Sequence, residues 1–251
     1  MMEIFELWDL YRDEVESEVK GWFFNHDLIT FWLIDLIQKK ALWHGDLCEL
    51  GTYEGKSAIA LGKLARPDEK LFCFDNFEVV AQATAESNIH RFCPDLKDRL
   101  VCIQQDLAKL QSPPPQVGLN SLRFVHIDAA HGHTAVVNDL VNFLPLLTRE
   151  AVIVLDDYFD PDYPGVSTAM TEFCLSDMGR HIRPFAASRS KMYLCARPYV
   201  ERYQRCIVAS GHIQNMNFED VLDVSVLCCF SRFPLPVEEL LRVLNAGDDA
   251  R

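Results

Sequence analysis

The feature that most constrains this chain is a rhythm. Between residues 46 and 179, five strand-like runs are interleaved with four helical stretches. The strand-like runs are 46–51 (DLCELG), 70–75 (KLFCFD), 99–106 (RLVCIQQD), 122–128 (LRFVHID) and 150–157 (EAVIVLDD). The helical stretches fall at 55–66, around 80–92, at 133–147 and near 166–179. Prolines 113, 114 and 115 make 112–121 a loop. Apolar runs this continuous suit strands buried on both faces, and such alternation implies a parallel sheet with helices on both sides. Two further strands, HIRPFAAS and KMYLCAR, follow too closely for a crossover helix, so they pair antiparallel. The expected fold is α/β and Rossmann-like.

Two helices precede this unit, at 2–20 and 26–40, so the chain divides into an N-terminal cap (1–44), a core domain (45–197) and an extension (198–251). The aromatic run at 22–24 is expected to cover the sheet or form a lid. In the extension, DVLDVSVLCCF reads as a strand and PVEELLRVL as a helix begun by proline. The apolar residues Val221, Leu222, Val224, Val226, Leu227, Phe230 and Phe233 must be buried somewhere, which suggests a homodimer or larger homo-oligomer.

Composition closes off other classes. A net charge of −13 disfavours a nucleic-acid backbone as partner. No apolar run approaches the ~20 residues that span a bilayer, and the acidic start is not a signal peptide. Nine cysteines without a CxxC pair read as reduced thiols in a cytoplasmic protein.

In open α/β sheets, ligands bind beyond the carboxyl ends of the strands. Those ends carry Glu49 and Gly51, then Asp75, then Gln105 and Asp106, then Asp128, then Asp156 and Asp157. The first loop, G-T-Y-E-G, lacks the third glycine of a dinucleotide fingerprint, and GTYEGKS is too short for a P-loop. Glu49 and Glu54 are poor company for phosphate. Asp75, 24 residues after Gly51, stands where such folds hold ribose hydroxyls. A nucleoside with a cationic, amino-acid-like arm fits this description, and S-adenosylmethionine is such a ligand.

The segments ELGTYEGKSA, FCFDNF, FVHIDAAHGHTAVVNDL and VIVLDDYFDPDYPGV together resemble class I S-adenosylmethionine-dependent methyltransferases, and more closely the small-molecule O-methyltransferases of the macrocin type. The resemblance covers roughly 45–197. It implies a seven-stranded sheet in the order 3-2-1-4-5-7-6 with strand 7 antiparallel. It implies that Gly51 and Gly55 let the backbone approach the cofactor, that Glu49 and Tyr53 flank its methionine part, that Asp75 holds the ribose, and that Gln105 and Asp106 lie by the adenine. Ser57, Asn76, Phe77, Asp128 and His131 complete that cofactor set. Asp128, Asp156 and Asp157 match three carboxylates that hold a magnesium ion (Mg2+) in the family. Three hard oxygen ligands suit that ion.

Family members often place an acid two positions after the first metal ligand; here that residue is Ala130. His131 is then the leading candidate for the general base and His133 the second, with Asp128 beside them. Tyr158, Phe159 and Tyr163 follow a strand end and are candidate substrate contacts. The expected activity is methylation of a small-molecule hydroxyl (a sugar, a catechol-like ring or a polyketide intermediate) in natural-product tailoring. The competing readings are a metal-free N- or O-methyltransferase and a scaffold that binds the cofactor without catalysis.

Overall fold

The computed structural model describes residues 4–213 and 215–229. α1 (Ile4–Leu10) widens into a π-helical stretch at Tyr11–Val15 and ends in a single turn, α2 (Glu16–Glu18). The wider turn seats both Tyr11 and Val15 in the core, and the Tyr11 hydroxyl donates to the Lys56 carbonyl at 2.7 Å. α3 (Asn25–Lys40) follows, buried along most of its length.

The strand–helix alternation is present as expected. β1 (Asp46–Leu50), β2 (Leu71–Asp75), β3 (Leu100–Gln104), β4 (Leu122–Ile127) and β5 (Leu147–Leu155) pair parallel in the order β3-β2-β1-β4-β5. Their helices are α4 (Lys56–Leu64), α5 (Gln82–Phe92), α6 (His133–Phe143) and α7 (Pro164–Leu175). β6 (Ile182–Ala187) and β7 (Met192–Ala196) are antiparallel to each other, and β7 lies antiparallel beside β5. The sequence reading carries α6 to 147. The chain instead turns into a short 3-10 segment at Leu144–Leu146, where Pro145 has no amide hydrogen to continue the α-helix.

The extension does more than the reading of one strand foresees. α8 (Val200–Ser210) ends at Gly211, whose φ of +67° suits glycine. β8 (Met216–Val221) and β9 (Val224–Cys229) form a hairpin, and β9 joins β6 in parallel. Among the described residues the sheet therefore has nine strands, β3-β2-β1-β4-β5-β7-β6-β9-β8, with the seven expected ones in the expected order. Val226 and Leu227 are fully buried in their own chain, and Val221, Leu222 and Val224 pack against its core. Phe230, Phe233 and the helix expected at 236–244 lie outside the described residues.

Alternate residues of each central strand feed two cores. Leu47, Cys73, Phe124, Val152 and Val154 face the core that also holds α1, α3, α4 and α8. Cys48, Phe72, Phe74, Val125 and Ile153 face the core shared with α6 and α7. That is why the strands read as continuous apolar runs. The N-terminal helices thus share a core with the sheet. Among the described residues, no helix is long and apolar enough to cross a membrane.

Candidate active site

The parallel strands all end on one rim, and backbone bonds carry the ladder one residue further. Gly51 N donates to Phe74 O at 2.8 Å, Asp128 N to Leu50 O at 2.7 Å, and Asp156 N to Ile127 O at 3.0 Å. Above this rim lies a cleft of about 920 Å³. Gly51 has φ +87°, and a Cβ there would stand 1.9 Å from the Asp128 carbonyl oxygen. The β1 and β4 ends therefore touch through bare backbone, and no side chain fits between them.

Asp75 shapes the loop as well as lining the cleft. Its Oδ2 accepts from the backbone amides of Thr52 (2.8 Å) and Tyr53 (2.9 Å), and its Oδ1 from Phe77 N (2.8 Å). Tyr53, Ser57, Asn76, Gln105 and Asp106 line the same end of the cleft. Glu49 does not line it. It is buried beneath, accepting from the Ser57 hydroxyl at 2.5 Å and facing His126 Nδ1 at 3.1 Å, while its Oε2 has no partner. Gly55 and Phe77 are also off the lining; a Cβ on Gly55 would press on Ile89 of α5 at 2.9 Å, so this glycine serves helix packing.

The other end of the cleft holds Asp128, His131, Asp156, Asp157, Phe159 and Tyr163. His131 Nε2 lies 3.3 Å from Asp128 Oδ1 and 3.2 Å from Asp157 Oδ2. The His131 ring packs on Tyr163 with centroids 4.2 Å apart. Burial first, and Asp156 second, push Asp128 up to about 6. The hydrogen bond to Asp128 raises His131 above its usual value, against desolvation. His133 is elsewhere: its ring nitrogens lie 2.9 Å from Thr168 Oγ1 and 2.9 Å from Glu172 Oε2, on α7. Tyr158 packs into the core beneath Phe159, outside the lining.

Asp156 is engaged by a partner that the sequence reading lacks. The buried Lys191 ammonium donates to Asp156 Oδ2 and sits 3.0 Å from His126 Nε2. Burial works to raise the Asp156 pKa, but the Lys191 ammonium leads the effects that outweigh it and hold it below the usual range. The group whose ligand atoms do converge, within 4.8 Å of one another, is Asp128, His131 and Asp157. Two carboxylates and an imidazole are not the all-oxygen set that magnesium favours. The three-aspartate arrangement expected for that ion does not fit this geometry. The cofactor end does fit S-adenosylmethionine: the Gly51 cradle, the Asp75 carboxylate and the cleft's size all match a nucleoside with a charged arm.

The aromatic run at 22–24 splits between core and cleft. Phe23 is buried in the core, whereas Trp22 is 83% exposed and Phe24 47%, both at the cleft mouth with Lys20 and Arg189. An extended segment sends alternate side chains to opposite sides, which is the signal that separates them.

A family model described as a methyltransferase domain matches residues 48–158. No curated protein matches the chain in sequence. Solved structures do match in fold. The O-methyltransferase NovP is 16% identical with a TM-score of 0.58, over 68% of this chain and 79% of that one. CalS11, described as a TDP-rhamnose 3'-O-methyltransferase of calicheamicin biosynthesis, is 17% identical with a TM-score of 0.52, over 76% of this chain and 90% of that one. The O-methyltransferase TomG from Streptomyces achromogenes, solved with S-adenosylmethionine, is 16% identical with a TM-score of 0.50, over 78% and 90%. The matched segment begins inside β1 and ends one residue past the Asp156–Asp157 pair, so this chain carries a methyltransferase domain built on the class I S-adenosylmethionine-dependent fold.

Proposed function

We propose that this protein methylates a hydroxyl group of a small molecule, in natural-product or related tailoring. The observation that carries the reading is His131 held between Asp128 and Asp157, in the same cleft as the Gly51 loop and Asp75. S-adenosylmethionine supplies an electrophilic methyl group on a sulfonium. Asp75 would take the ribose hydroxyls, with Gln105 and Asp106 by the base and Tyr53, Ser57 and Asn76 along the remainder. An Nε2–H shared between two carboxylates leaves the imidazole lone pair on Nδ1, so Nδ1 is the atom that takes the acceptor's proton. Asp128 and Asp157 then stabilise the imidazolium. Tyr163 and Phe159 form an apolar wall for the acceptor. NovP, CalS11 and TomG are O-methyltransferases by description, which supports oxygen as the accepting atom.

The test is transfer of isotopically labelled methyl to a panel of catechols, phenols and sugars, with the methylated atom identified by NMR. Products methylated only on nitrogen would move the reading to an N-methyltransferase; cofactor binding without transfer to any acceptor would favour a scaffold. A second reading is metal-assisted transfer by a divalent ion that accepts an imidazole ligand, favoured by the convergence of Asp128, His131 and Asp157. Loss of turnover on chelation, with recovery on adding back a divalent ion, would support it. The extension's apolar residues suggest a homo-oligomer, and light scattering tests it.

A further inference from the structure

A buried lysine lies below the rim and bonds to the ends of two of its strands. Lys191 is the residue before β7, and the antiparallel pairing of Leu155 with Met192 sets it beside Asp156. The side chain is 1% exposed. An ammonium group donates and cannot accept. Its 3.0 Å contact with His126 Nε2 therefore makes that nitrogen the acceptor, which puts the imidazole hydrogen on Nδ1, facing Glu49 Oε1 at 3.1 Å. Glu49 in turn accepts from Ser57, on the cleft lining. One fixed cation thus orients side chains at the ends of β1, β4 and β5 at once. Asp27, bonded to Ser188 (2.6 Å) and Tyr193 (3.0 Å), adds a further negative charge on the far side. The ammonium is thus set against the Asp156 carboxylate, with the Asp27 carboxylate close to the same strand end.

Asp156 Oδ2 accepts from this ammonium and Oδ1 from the Asp157 amide at 2.9 Å, so a divalent ion bound through Asp156 would have to compete with one of these donors and sit close to the ammonium. We propose that Lys191 is the resident cation of the rim, satisfying Asp156 where a divalent metal ion would otherwise bind, so that methyl transfer here needs no metal. Lys191 is then a positioning residue. The metal-free conclusion rests on the methyl-transfer reading above, whereas the binding test does not.

The test is Mn2+ titration, read by electron paramagnetic resonance, of full-length protein freed of metal by a chelator. Lys191→Met frees Asp156 and should tighten Mn2+ binding at least tenfold. Adding Asp156→Asn should abolish the gain, and Lys191→Arg should behave as wild type. Equal Mn2+ affinity in wild type and Lys191→Met overturns the proposal. Should Lys191→Met fail to fold, Asp156→Asn alone decides: unchanged Mn2+ affinity supports the proposal, and a tenfold weakening overturns it. Once an acceptor is known, wild-type turnover should be unchanged by chelation, and metal-restored turnover would overturn the proposal. None of the Mn2+ outcomes depends on the acceptor, so they stand even where the reaction is misread.

Discussion

Asp139, on α6, is 1% exposed, and neither of its carboxylate oxygens has a hydrogen-bond partner. Its neighbours on the same helix, Val136, Leu140 and Phe143, are core residues. Asn138 and Asn142 hold the helix to the carbonyls of Leu107 and Leu110. Burial alone lifts the Asp139 pKa from 3.8 to about 7. The folded pKa lies above the unfolded one, so the sign is fixed. Below about pH 4 the carboxyl is protonated in both states and costs nothing further. As pH rises toward 7, the unfolded chain ionises readily while the folded one resists, and stability is lost. At about 1.4 kcal/mol per pH unit, the loss reaches about 4 kcal/mol near pH 8. Asp139→Asn keeps the shape and removes the charge. It should stabilise the protein by about that amount at pH 8, a rise in Tm of roughly 10 °C for a chain of this size. Near pH 4 it should change little. Thermal and urea unfolding of both proteins across pH 4 to 8 measures this. A stability difference that does not depend on pH would refute the reasoning.

Three further outcomes follow from the cleft. Asp75→Ala should weaken S-adenosylmethionine binding at least about tenfold by calorimetry, since charge-assisted hydrogen bonds contribute roughly 1.5–3 kcal/mol each. His131→Ala should reduce turnover by about 10²–10⁴-fold with cofactor affinity little changed. Its base form is lost as pH falls through a pKa raised above the ordinary histidine value, so the wild-type rate should climb with pH past neutrality and that limb should vanish in the variant. Gly51→Ala places a methyl group 1.9 Å from the Asp128 carbonyl oxygen, so it should abolish cofactor binding and lower the Tm in a melting assay.

The central strands were legible because each must supply two cores, which leaves few polar residues within them. His131 was legible from its distance to Asp128. His133 lies two residues on, at the start of α6, and bonds to Thr168 and Glu172 on α7, out of the cleft. Packing between helices 35 and 39 residues apart leaves no local mark. Lys191 was hidden for the same reason, because its partner Asp156 lies across a strand pair. His126 sits within an apolar run that reads as core, and it is core by burial. The β8–β9 hairpin was missed because its turn at Leu222 and Asp223 offers neither glycine nor asparagine, although Leu222 adopts φ +57°. Tertiary contacts hold that turn instead: the Asp223 carboxylate accepts from both Arg183 and Arg197.

The added hairpin changes what the molecule presents at its margin. Without it, β6 would be the outermost strand, and every one of its six residues is buried. An apolar border of that kind, with open amide and carbonyl groups, invites strands of other molecules to join it. β9 covers it in register at Ala186 and Ala187, and Gln204 of α8 bonds to both Phe185 O (2.9 Å) and Ser225 O (2.6 Å), fastening the two layers together. Among the described residues the new border is β8, mostly exposed and bearing Glu219 and Asp220. The extension therefore acts as a charged hem on the sheet, and a chain cut short of Met216 would be adhesive as well as smaller.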